Sequence, residues 1–146
     1  MTLLKATVVV AGEACASTLC SKVPLSFWGG VDPHTGEVID VHHDLNGQCM
    51  TDKVLLIPAG RGSCSGSGIM LEMIRQQTAP AALISIEAGP IISPGSVMGY
   101  ELYQRGVPIL TLDEKDFYNI PNKTMLNIAA DGTTTFDSNS SIFERL

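Results

Sequence analysis

Between the apolar run "VLLIP" and the helix-like "IMLEMIRQQ" lies "AGRGSCSGSG", Ala59 to Gly68, ten residues holding four glycines, three serines and a cysteine. A buried strand that gives way to bare backbone and then to a helix constrains the chain to an α/β arrangement. The carboxyl end of such a strand, facing a helix N-terminus, is where open α/β sheets hold ligands. The surrounding pattern agrees. "KVLLI" predicts a short buried strand, "SGIMLEMIRQQ" a helix, "AALISIE" a strand, "GSVMGYELYQRG" a helix and "VPILTL" a strand. This βαβαβ order implies parallel strands with right-handed crossovers. "TMLNIAADGTTTFD" predicts a closing antiparallel hairpin with Asp131-Gly132 at its turn. Ahead of the loop, "LLKATVVVAG" predicts a strand and "PLSFWGGVDPHTGEVIDV" two extended pieces around a turn at "DPHTG". The tail "SNSSIFERL" is expected to fray.

With 146 residues, one domain spanning 1–146 is expected. Only 16% of residues are charged, against roughly 25% in an average soluble domain. Either a well-filled core under a Ser/Thr-rich surface or a large face buried against another subunit accounts for this, and composition leaves both open. No apolar run approaches the ~20 residues of a membrane span. The net charge of −6, with nine scattered Lys and Arg, argues against nucleic-acid binding. Cys15, Cys20, Cys49 and Cys64 form no CxxC pair, and the N-terminal stretch lacks a signal-peptide pattern, so free thiols in the cytoplasm are expected.

Three chemistries fit the loop. Gly60, Gly62 and Gly66, with Glu87 at the end of the next strand, loosely resemble a dinucleotide fingerprint. Such a fold opens with its glycine-bearing strand, whereas here about fifty residues precede it. Gly62-Ser63-Cys64-Ser65-Gly66 fits a nucleophile elbow with cysteine at its centre, but His34, His42 and His43 all precede Cys64. The α/β-hydrolase order places the base histidine after the nucleophile. A small residue filling a tight turn explains Cys64 better. In the third reading, N–H groups and hydroxyls at a helix N-terminus cradle a carboxylate or phosphate. A serine held beside the acidic C–H of a bound carboxylate then serves as a base. Hydroxyls that merely cap the helix are the bland alternative.

The segment "PLSFWGGVDPHTGEVIDVHH" followed by "GRGSCSGS" resembles the small subunit of the aconitase X family, from roughly Val9 to Leu112. The resemblance implies a swivelling β/β/α domain like the small mobile domain of aconitase and isopropylmalate isomerase. It also implies a hydro-lyase acting on a small hydroxy acid, and a large partner subunit that holds the iron or iron–sulfur centre. In the wider superfamily the loop reads G-x-G-S-S-R-E, and its first serine takes the substrate proton. Laid on this chain, Ser63 inherits the base role, and Gly62, Cys64 and Ser65 the substrate-binding positions. Ser65 stands where the superfamily has a substrate-binding arginine, which points to a different substrate. Arg61, one position early, is a possible anion partner or an ordinary solvated arginine. The family's two substrates are cis-3-hydroxy-L-proline and a phosphorylated mevalonate. A phosphate favours several basic groups; near the loop only Arg61 is basic, which favours hydroxyproline.

Asp32, His34, Glu37, Asp40, His42, His43 and Asp44 have the composition of a metal ligand set. Their spacing matches no defined site, so a polar hairpin tip with its strand ends is expected, and no metal on this chain. Ser26, Phe27, Trp28, Gly29 and Gly30 line either the cleft, a subunit contact or the core.

Overall fold

The computed structural model describes residues 2–25, 27–58, 65–86, 93–104 and 106–136, with the side chains of 27–28, 65–67 and 93–96 left aside. The elements run in chain order as β1 (Thr2–Lys5), β2 (Thr7–Val10), β3 (Ala14–Cys20), α1 (Phe27–Gly30), β4 (Val31–Asp32), β5 (Glu37–Val38) and β6 (Val54–Leu56). They continue with α2 (Ser65–Gln76), β7 (Ala82–Ser85), α3 (Ser93–Tyr103), β8 (Ile109–Thr111), α4 (Glu114–Asn119), β9 (Met125–Ile128) and β10 (Thr133–Phe136).

Eight strands form one sheet in the order β1-β10-β9-β3-β6-β7-β8-β2. β3, β6, β7 and β8 run parallel, and β9, β10, β1 and β2 pair antiparallel. β1 and β2 are one extended segment interrupted at Ala6, and they pair with opposite ends of the ladder. The sheet therefore closes almost completely on itself and leaves little free edge. The Ala6 N–H donates to the Gly132 carbonyl (3.0 Å) at this joint. Gly132, in the β9–β10 turn, has φ +93°, which only glycine adopts without strain.

Strand periodicity divides the core in two. Val54, Leu56, Ala82, Ile84, Leu110, Leu126, Ile128 and Phe136 face the inside of the curved sheet, together with Phe117 and Ile120 from and after α4. Leu55, Ile57, Leu83 and Ile109 face outward onto Met70, Met73 and Ile74 of α2. β6 and β7 are buried on both faces, which is why they read as unbroken apolar runs. α4 is started by Asp113, whose side chain accepts the Asp116 N–H (2.8 Å), with Glu114 and Asp116 matched to the helix dipole.

The predicted βαβαβ unit and closing hairpin are present, as is the hairpin around "DPHTG", now β4–β5. One expectation is corrected: "FWGG" forms the helical turn α1 rather than an extended piece. β3 and α4 are additional elements, and the tail beyond Phe136 lies outside the described residues.

Candidate functional site

The carboxyl ends of β3 and β6 lie side by side. Ser21, just after β3, donates its N–H to the Leu56 carbonyl (2.9 Å). On the other flank, Ile57 N–H bonds to the Ile84 carbonyl and Ile86 N–H to the Pro58 carbonyl, each at 3.1 Å. The backbone is thus tied from both sides up to Pro58, next to the Gly/Ser loop in sequence, and α2 resumes at Ser65. Arg61, Gly62, Ser63 and Cys64 lie outside the described residues, and of Ser65 only the backbone is described.

Between β3 and β6 the chain makes an excursion that carries α1 and the β4–β5 hairpin. Asp44 clasps its neck. Its Oδ1 accepts from Ser21 Oγ (2.6 Å) and its Oδ2 from the Lys22 N–H (3.2 Å). Ser21 is buried, and its single hydroxyl hydrogen goes to the carboxylate, the stronger acceptor, while Oγ accepts the Val23 N–H (3.1 Å). His43 is also buried. Its Nδ1 accepts the Leu45 N–H (3.1 Å), which places the ring proton of the neutral form on Nε2. Nε2 has no partner among the described residues. Asp44 Oδ1, 3.1 Å from the same Nδ1, takes its hydrogen from Ser21 instead.

The hairpin tip is tied to the last turn of α2. Asp32 Oδ1 accepts the His34 N–H (2.9 Å), His34 Nδ1 meets Gln76 Oε1 (2.8 Å), and Thr78 Oγ1 donates to the Pro33 carbonyl (2.6 Å). Gln76 Nε2 also donates to Glu72 Oε1 (2.7 Å), and Arg75 forks onto the same carboxylate. Hydrogen bonds from Arg75 and Gln76 hold Glu72 at a pKa of about 2. His34 therefore bridges two elements, Asp40 accepts the His42 N–H (3.0 Å), and Asp44 is a clasp. Among the described residues no three His, Cys, Asp or Glu side chains converge as a metal would require. The expected polar hairpin tip holds for Asp32 and His34, but His43 is part of the packed interior.

A cavity of about 300 Å³ opens at the carboxyl ends of β3 and β6, lined by Cys20, Ser21, Lys22, Asp44, Leu56, Phe117, Tyr118, Ile120 and Asn122. Asn122 Oδ1 accepts the Cys20 N–H (3.0 Å). Burial pushes the Cys20 thiol up to about 11, so it stays protonated and unreactive near neutral pH. Another cavity, of about 240 Å³, lies by the amino ends of β6, β7 and β8, and one of about 360 Å³ lies between the carboxyl half of β3 and the residues Lys53, Lys123 and Met125. Sequence reasoning singled out Asp44 as a candidate metal ligand and missed Ser21, Lys22 and Asn122. No spacing rule joins Asn122 to Cys20, since only the sheet brings them together.

Comparison with known proteins decides the family. The sequence model of the aconitase X swivel domain matches residues 3–136. The chain belongs to the aconitase X swivel-domain family. It is 45% identical over 113 residues to cis-3-hydroxy-L-proline dehydratase of Hypocrea jecorina, covering 77% of this chain and 19% of that protein. It is 42% identical over 118 residues to the phosphomevalonate dehydratase small subunit of Methanothermobacter thermautotrophicus, covering 81% and 86% respectively. The aligned part of the chain thus spans about a fifth of the hydroxyproline dehydratases it matches, 19% and 18% of their lengths. The crystal structure of Thermococcus kodakaraensis aconitase X in its holo-form superposes with a TM-score of 0.84 at 32% identity, covering 94% of this chain and all of that one. The swivel fold expected from the two sequence motifs is therefore the fold of this chain, and the relatives are named as dehydratases on both branches.

Proposed function

We propose that this chain is the small subunit of a two-chain hydro-lyase that removes water from a small hydroxy acid, with cis-3-hydroxy-L-proline as substrate and pyrroline-2-carboxylate as product. The observation that carries the reading is the swivel-domain match over residues 3–136, shared with relatives named dehydratases at 42 to 46% identity. In this reading Ser63 accepts the proton beside the substrate carboxylate, while Gly62, Cys64 and Ser65 supply N–H and hydroxyl donors to the bound acid. The helix dipole of α2 favours the anion at this end.

The iron or iron–sulfur centre that the family resemblance implies is assigned, as that resemblance has it, to the large partner subunit. The partner also explains the apolar stripe on α3, where Val97, Met98 and Leu102 are exposed on one face. Among the described residues no helix is long and apolar enough to cross a membrane. The free thiols of Cys15, Cys20 and Cys49 support the cytoplasm, where we place the enzyme.

A second reading, mevalonate 5-phosphate dehydration, is favoured by one observation: the small subunit of that enzyme in Methanothermobacter thermautotrophicus aligns over 86% of its length. The experiment is reconstitution with the large subunit and assay of both substrates. Dehydration of hydroxyproline supports the first reading. Turnover of the phosphorylated substrate alone replaces it with the second, and an inert pair refutes both.

A further inference from the structure

His43 is the one fully buried ionisable side chain among the described residues, and the proposed reaction does not use it. Its side chain is 3% exposed. Nε2 has no partner among the described residues, so Nδ1 is the polar anchor of the ring. Two groups compete for that nitrogen at the same distance: the Leu45 N–H and Asp44 Oδ1, each 3.1 Å away. The first needs a lone pair on Nδ1 and the second needs a proton there. One nitrogen cannot serve both. Uncharged, the ring accepts from Leu45; charged, it donates to Asp44 and turns a second N–H against that of Leu45.

The two partners belong to different parts of the neck. Asp44 is tied to Ser21 Oγ and the Lys22 N–H behind β3, and its side chain, 44% exposed, links the buried ring to solvent. Leu45 is buried in the same core as Val38, Met50 and, from α2, Met70 and Met73. Its carbonyl accepts the Gln48 N–H (2.9 Å) and the His43 carbonyl the Asn46 N–H (3.1 Å), so displacing the Leu45 N–H loosens the turn that seats this residue. The same excursion carries α1, which packs on α2, and α2 begins where the Gly/Ser loop ends. Other charges near the ring are few. Its own turn adds the half-buried Asp40, whose Oδ1 accepts the His42 N–H (3.0 Å), and the exposed His42. The facing neck adds the exposed Lys22, while α1 and the carboxyl end of β6 carry no ionisable residue. Among the described residues Asp44 is the one carboxylate within 4 Å of a ring nitrogen.

We propose that His43 is a proton-operated latch on the neck between β3 and β6. Without charge it holds the Leu45 N–H and keeps the turn seated on the core behind α2. With charge it passes to Asp44 and releases Leu45, which loosens the frame that holds α1 against α2 and lowers activity. The inference concerns a residue outside the Gly/Ser loop and goes beyond the dehydratase reading.

The first test uses the full chain, labelled with ¹⁵N, with ring nitrogens and amides followed by NMR from pH 8 to 5, where histidines change charge. At the upper end the ring proton should sit on Nε2 alone. As the ring charges, the Leu45 amide should shift with the same midpoint, and its hydrogen exchange, corrected for the intrinsic effect of pH, should quicken about 10-fold or more. Asp44→Asn should weaken proton binding by the ring about 10-fold, since the carboxylate that favours the charged form is gone. His43→Asn puts a carbonyl oxygen, which takes no proton in this range, where Nδ1 stood, and should keep the Leu45 amide protected throughout. A ring that stays uncharged to pH 5, or a Leu45 amide that ignores its charge, overturns the proposal, and both are read on the wild-type chain. The second test uses the assembled enzyme. Its kcat/KM should fall on acidification with the midpoint of the ring, and one pH unit below that midpoint His43→Asn should retain about 5-fold more of its plateau value than the wild type. Superimposable acid limbs overturn the regulatory role. A pair inert toward both substrates sinks the proposed function instead, and the NMR titration alone then decides the latch.

Discussion

Closure of the sheet depends on Gly132, and Gly132→Ala measures how much. The residue has φ +93°, and an L-residue forced into left-handed backbone costs about 1–2 kcal/mol. A Cβ there would also run into the Ala6 carbonyl oxygen and come within 3.0 Å of Val8 Cγ2. Neither is the loose end of a long side chain, so the backbone has to move. Moving it stretches the bond from the Ala6 N–H to the Gly132 carbonyl, now 3.0 Å, whose loss is worth about 1 kcal/mol. The total is about 3 kcal/mol, a large share of the roughly 5–15 kcal/mol that holds an ordinary domain. For a chain of this size that is a fall in Tm of about 10 °C. Gly47→Ala is the internal control. Gly47 has φ +84°, but a Cβ there meets nothing within 4 Å, so only the backbone strain of about 1 kcal/mol is expected, or about 3 °C. Urea denaturation of both variants, with m checked for constancy, gives the comparison. Equal losses for the two glycines would refute the claim that the Ala6–Gly132 contact locks the sheet.

Three further outcomes follow from the packing and charges. In alkylation at pH 8 mapped by mass spectrometry, Cys20 should react last among Cys15, Cys20 and Cys49, since its thiol is held at about 11 whereas Cys15 and Cys49 are exposed; early labelling of Cys20 in the folded chain would contradict its burial. Glu72, held at about 2 against an ordinary 4.5 by Arg75 and Gln76, and Asp131, held at about 2 against 3.8 by Thr133 and Lys5, bind fewer protons folded than unfolded. Their stabilisation is complete above the unfolded values and is lost as pH falls toward 2. Glu72→Gln with Asp131→Asn should therefore flatten the decline of stability between those limits, and an unchanged acid profile would refute the assignment. Finally, the chain purified alone should carry no stoichiometric iron and show no dehydratase activity, and metal analysis with an activity assay checks both.

The parallel unit was legible because β6 and β7 are buried on both faces and so appear as "VLL" and "ALIS" between polar breaks. The hairpin was legible because Asp131-Gly132 is a local turn signal. β3 was not, although it is central. Its "ACASTLC" is poor in β-branched residues, and Thr18 is buried only because its hydroxyl donates to the Pro121 carbonyl (2.7 Å) and accepts from the Thr124 N–H (3.0 Å). Those partners are more than a hundred residues away. Sheet closure was hidden for the same reason, since "LLKATVVV" reads as one strand and its partners lie near the other end of the chain. Within the site, the Gly/Ser loop and the "FWGGVDPHTG" segment were legible as motifs. The clasp of Asp44 on Ser21 and the cavity beside it were not, because they are made by sheet order and the excursion between β3 and β6.

That this chain supplies the base of a dehydration is tested most directly by comparing kcat of Ser63→Ala and Cys64→Ser in the assembled enzyme, with gel filtration and circular dichroism as controls for assembly and folding. Loss of a positioned base should lower kcat of Ser63→Ala about 10²-fold or more, while Cys64→Ser, which replaces the thiol with a hydroxyl of similar size, should be far milder. An active Ser63→Ala beside a dead Cys64→Ser would contradict the serine-base mechanism and return the loop to a cysteine nucleophile.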